Sequence, residues 1–165
     1  MALASGSLGI VDSIVTRVKS MVGSISTRLN KIIVARLKTG EDILEKIEQV
    51  VREHNIRGGA LKLIGAVSHV KFGYFDRGKN EYNYFEIGNG DLEVVSCMGN
   101  IARHDDDIII HAHMVAADSD GNTYGGHVAE GCKAGATIEV VIWAFESELQ
   151  RTKDETTGLH LLDIL

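Results

Sequence analysis

The sequence predicts an α+β fold: a largely antiparallel sheet of about six or seven strands, one main packed helix, and an extra amphipathic helix at the N-terminus. Three observations carry this. Apolar runs rich in Val, Ile and aromatic residues recur between Gly, Asn and Asp clusters, the pattern of strands separated by turns. Most of these runs are joined by short turns, which connect antiparallel neighbours. Within the body of the chain, a single stretch after Thr39 carries helical periodicity instead.

Residues 1–30 read as an N-terminal extension. Val11, Ile14, Val15, Val18, Val22, Ile25 and Leu29 recur at three- and four-residue steps, as on an amphipathic helix from Ile10 to Leu29. Asp12, Arg17, Lys19 and Arg28 interrupt any signal-peptide core. Ser and Thr on the other face do not make the Lys/Arg stripe of a membrane-surface helix. The expected role is a packing helix, seated on the body or on a neighbouring subunit.

Residues 31–146 read as the domain proper. Asn30 to Lys38 is the first strand. Thr39-Gly-Glu-Asp42 then opens a helix with a hydroxyl cap and acids in its first turn, running to about His54 with Ile43, Leu44, Ile47, Val50 and Val51 on one stripe. Ala60 to His69 is the second strand, and Lys71 to Phe75 and Tyr82 to Ile87 flank the turn Asp76-Arg-Gly-Lys-Asn80. Leu92 to Met98 is followed by Gly99-Asn100 and an acidic bend at His104-Asp-Asp-Asp107. Ile108 to Ile110 leads into a histidine-rich unit, Gly131 to Gly135 breaks the chain, and Thr137 to Phe145 is the last long strand. Residues 147–165 form a charged C-terminal tail ending in an apolar patch, Leu159 to Leu165.

Composition bounds the partners. Seventeen Lys and Arg against 23 Asp and Glu give a formal net charge of −6, which disfavours general binding to nucleic-acid backbones. Two cysteines, Cys97 and Cys132, make neither a disulfide framework nor a C-x-x-C pair, which points to a reducing, cytoplasmic setting. No run of about 18 uncharged apolar residues predicts a membrane span.

The chemistry-bearing stretch is His111-Ala-His113, the turn Asp118-Ser-Asp-Gly121, and Tyr124-Gly-Gly-His127. Side chains alternate faces along a strand, so His111 and His113 project together. The turn reverses the chain, Gly125 and Gly126 allow close backbone approach at a bound group, and His127 returns towards the first two. Three imidazoles so placed suit a divalent transition metal with an open coordination position. The alternative is three unrelated histidines on a half-exposed sheet.

Arg36-Leu-Lys-Thr-Gly-Glu41, Gly99-Asn-Ile-Ala102, His111-Ala-His113, Gly121, Gly125-Gly-His127 and Thr137-Ile-Glu-Val140 occur in that order. Together they resemble the PPC domain, shared by plants and prokaryotes, over roughly residues 31–145. The resemblance implies an α+β homotrimer, and the N-terminal helix could extend it to a higher assembly. It also implies a metal or small-ligand site at His111, His113 and His127, the positions where prokaryotic members carry H-x-H and G-G-H. Zinc is the first candidate, with nickel or another first-row ion as substitute. Prokaryotic relatives carry a DNA-binding label derived from plant members with a separate Arg-Gly-Arg-Pro hook. This proline-free chain holds no such hook, so DNA binding stands as an alternative unsupported by charge.

Other candidates divide similarly. Cys132 is a fourth metal ligand or a small buried thiol. Glu139 orients a histidine, acts as a base on metal-bound water, or pairs with Arg36; Glu130 shares that ambiguity. Asp105, Asp106 and Asp107 read as a solvated loop. His69 reads as structural, and His54 as a helix-end residue. No G-x-S-x-G, P-loop or dinucleotide fingerprint is present, so metal-dependent hydrolysis of an unspecified substrate is the one enzyme class supported.

Overall fold

The structure, a computed structural model, describes residues 23–88 and 90–164. The expected N-terminal helix lies mostly outside them. Its described end is not helical: residues 23–28 have no regular structure and Leu29 opens the first strand.

Strand β1 (Leu29–Lys38) leads to helix α1 (Ile43–Glu53), followed by β2 (Gly59–Asp76), β3 (Glu81–Ile87), β4 (Leu92–His104), β5 (Asp107–Ala117), β6 (Thr123–Val128) and β7 (Lys133–Phe145). Two short strands follow, β8 (Arg151–Lys153) and β9 (His160–Leu162). The first seven form one sheet in the order β1-β7-β2-β4-β5-β6, with β3 attached to β2 and every pairing antiparallel.

Helix α1 begins one turn later than the hydroxyl-cap reading places it. Asp42 is the cap, accepting from the Glu45 amide, while the Thr39 hydroxyl donates to the Ala136 carbonyl. A carboxylate wins here because its second oxygen also takes the Gly131 amide at 2.9 Å and the Lys133 ammonium at 3.2 Å. The helix buries Ile43, Ile47 and Val51 against the inner face of the sheet, packing on β1, β5 and β7.

Strand β2 merges two segments that look separate in sequence. Its first half lies between β7 and β4, and its second half pairs with β3 and meets β6 at Phe72 and Gly73. The strand turns this corner through register shifts on either side of Gly65, whose φ is +127°. Strand β4 likewise runs through Gly99-Asn100. A Cβ on Gly99 would lie 2.5 Å from the His111 carbonyl oxygen, so this glycine serves close strand packing. The chain reverses at Asp105 instead, with φ +52°.

Because β6 pairs with both β5 and β2, strands β2, β4, β5 and β6 close a circuit. Phe72 is fully buried at that junction. The charged segment after Glu146 folds back: the Arg103 amide donates to the Leu149 carbonyl, and β8 pairs with β9. Among the described residues no helix is long and apolar enough to cross a membrane.

Both thiols are buried, and burial pushes the Cys97 thiol up to about 12. Cys97 is then held as the thiol at pH 8, and the thiolate is the reactive form. Ellman's reagent should leave both cysteines untouched in the native protein and titrate both in urea. Rapid native labelling would contradict the burial.

Candidate metal centre

Strand alternation places His111 and His113 on the outer face of β5, while Ala112 and Met114 point into the core. The antiparallel register sets His127 of β6 directly opposite His113. One ligand atom from each of His111, His113 and His127 lies within 4.8 Å of the others, so the group could hold a metal ion. His111 and His127 are half-buried and His113 is exposed, which leaves the cluster open to solvent on one side.

The glycines before His127 have a packing role in this arrangement. A Cβ on Gly125 would lie 2.7 Å from the Met114 carbonyl oxygen, and one on Gly126 would lie 3.0 Å from that of Gly73. Their bareness lets β6 press onto β5 and β2 together, and so brings His127 in.

Sequence reasoning missed three residues around the cluster. Arg151, from β8, is 6% exposed, and its Nη2 donates to Asn100 Oδ1 at 2.8 Å. The same nitrogen lies 3.2 Å from Nδ1 of His111, while Nη1 donates to the His160 carbonyl at 2.6 Å. Asn100 sits in register with His111, which gives the Gly99-Asn-Ile-Ala102 motif a physical role. Tyr82 stacks beside His127 with ring centroids 5.1 Å apart. Nothing in the local sequence around Arg151 marks it, since the contact spans forty residues of chain.

Burial first, then the Arg151 charge and the neighbouring imidazoles, push His111 down to about 4. His127 moves down as well, through burial, His113 and Arg151. Both rings are therefore held neutral, the state in which imidazole ligates metal. The fit is supported by Nδ1 of His127, a buried nitrogen with no hydrogen-bond partner. Nε2 of His111 and Nε2 of His113 already lie 3.2 Å apart. With Arg151 donating to Nδ1 of His111, the ring proton sits on Nε2. Ligation through Nε2 calls for the other tautomer and for the guanidinium to move aside.

The remaining candidates lie elsewhere. Cys132 is fully buried, and its thiol donates to the Lys71 carbonyl. Glu139 is exposed and in register with Arg36, with β2 and β4 between its strand and β5. Glu130 lines a separate groove beside α1 with Asp42, Glu45 and Glu48. His69 lies 3.5 Å from Glu86, and His54 caps the end of α1.

The family model of the Plants and Prokaryotes Conserved (PCC) domain matches residues 24–146. The chain belongs to this family. Its PCC fold is shared by a metal-containing protein of Archaeoglobus fulgidus, at 31% identity and a TM-score of 0.79 over 86% of this chain and 99% of that one. A plant- and prokaryote-conserved protein of Pyrococcus horikoshii is 25% identical, also with a TM-score of 0.79, over 86% of this chain and 97% of that one. A curated relative, the bifunctional protein GlmU of a Synechococcus strain, is 28% identical over 78% of this chain. The PCC chain spans about a fifth of the length of the curated relatives it matches (20% of each).

Proposed function

We propose that this PCC protein binds one divalent transition metal ion per chain through His111, His113 and His127, with zinc the ion of choice. The observation that carries the reading is three ligand atoms within 4.8 Å, contributed by paired strands, with a buried Nδ1 of His127 lacking a partner. The metal content of the Archaeoglobus fulgidus relative supports it. Imidazole suits zinc and its first-row neighbours. Three protein ligands leave a position at which the ion acts as a Lewis acid towards water or a carboxylate.

The test is thermal. Zinc at about a hundred times its Kd adds about 2.7 kcal/mol to the folded state, or about 5–10 °C in Tm for a chain of this size. EDTA should reverse the gain. An unchanged Tm across zinc and EDTA would sink the proposal.

The same protein works, in this reading, as a homotrimer. The registers place Val34, Val141, Lys62, Met98, His113 and His127 in one row across the outer sheet face. Val34 is 75% exposed and Met98 68%, and exposed apolar side chains of this size favour burial against another copy. Light scattering should give three times the 17.9 kDa chain mass. Met98→Asp should lower that mass towards a single chain; an unaltered particle would place the interface elsewhere.

A further inference from the structure

Beside the histidines lies a cavity of about 190 Å³, lined by Tyr82, His127 and Arg151 together with the apolar side chains of Ile110, Leu159 and Leu161. Among the described residues only two charged or polar side chains are buried, Asp42 and Arg151. Asp42 has its counterion in Lys133. Arg151 has none: no ion pair formed among the described residues includes it. Its three partners, Asn100, His111 and the His160 carbonyl, are neutral acceptors, and its Nε is buried without any.

A buried guanidinium without an anion is costly, so such groups are normally matched by a carboxylate or phosphate. This one faces a cavity next to a proposed Lewis acid, and metal ligation through Nε2 of His111 would remove one of its three acceptors. We infer that the cavity is the subsite for a small monocarboxylate with a short apolar tail, its carboxylate lying between Arg151 and the metal position and its tail against Ile110, Leu159 and Leu161. The inference rests on the metal reading for its second anchor alone.

The chemistry selects the class. The planar guanidinium fork matches a carboxylate. Among the described residues Arg151 is the one Lys or Arg lining the cavity, and its single guanidinium fork matches one carboxylate. Butyrate is the simple probe of this class: one carboxylate on a short apolar tail.

The experiment is a calorimetric titration of the full-length zinc-loaded protein with butyrate, its neutral isostere butyramide, and inorganic phosphate. Saturable butyrate binding, at least tenfold tighter than either butyramide or phosphate, is the expected result. Arg151→Met should erase the preference for butyrate over butyramide while zinc content stays unchanged. The comparison of the three ligands on the wild-type protein needs no variant, so it stands even if Arg151→Met misfolds. Equal binding of butyrate and butyramide, absence of butyrate binding, or tighter phosphate binding would each overturn the inference. Zinc content, measured on the same samples, reports separately on the metal reading: zinc present without a butyrate preference defeats the carboxylate subsite alone, and a protein that takes up no zinc defeats the metal site.

Discussion

Simultaneous replacement of His111, His113 and His127 by Ala should take bound zinc from about one per chain to background, since three protein ligands are the least that holds a catalytic-type zinc. Each single variant should weaken affinity at least tenfold, given that even residues supporting a ligand are worth about 10–100-fold. His127→Ala is the most informative of the three. It removes the ring with the unpartnered nitrogen and leaves the 3.2 Å contact between His111 and His113 in place. The triple variant should also lose the zinc-dependent rise in Tm and keep its fold. His113 is exposed and the other two rings are half-buried on the outer face, so none of them fills the core. Elemental analysis after gel filtration checks the first effect, and melting with and without zinc checks the second. Retained stoichiometric zinc in the triple variant would place the metal elsewhere.

The largest expected loss of stability comes from Gly65→Val. The glycine holds φ +127°, where a branched side chain is strained, and an added Cβ would overlap the Thr137 carbonyl oxygen of β7. Neither atom can yield without breaking the pairing between β2 and β7, because the obstacle is backbone rather than a mobile side chain. The expected cost is about 4 kcal/mol or more, a large part of the 5–15 kcal/mol that holds a typical domain together. Gly40→Ala is the matched control. Gly40 also has positive φ, +81°, yet a Cβ there meets nothing within 4 Å. It should cost about 1–2 kcal/mol, the conformational term alone. Urea unfolding of the two variants separates strain from collision. Equal midpoints would mean that β2 can relax away from β7 at this corner.

The elements that hold the site together were legible in sequence to the extent that their causes are local. Helix α1 follows from its apolar stripe, and the isoleucine run with alternating histidines marks β5 and its outward face. Spacing alone suggested that His127 returns to His113, because a short polar turn between two strands fixes an antiparallel register. Features decided by long-range pairing leave no such local mark. Gly99 looks like the end of a strand and Gly65 like an ordinary position within one, but they are the positions where strands approach closely or bend. Length misled in the same way: β2 is 18 residues long because its two halves pair with different partners, which periodicity does not report. Arg151 was invisible for a related reason. Its position on a charged segment suggests solvent, and only the return of β8 against β4 brings it to Asn100 and His111 and buries it. The feature carrying the carboxylate inference thus lies wholly in tertiary structure.

X-ray absorption at the zinc edge, on protein purified with its native metal, reads the ligand shell itself. Three imidazole nitrogens at about 2.0–2.1 Å plus one light oxygen-type neighbour are expected, with the multiple-scattering signature of histidine rings. Sulfur at about 2.3 Å would move the site to Cys97 or Cys132. A shell of oxygens without imidazole scattering would leave His111, His113 and His127 as ordinary residues of an open sheet face.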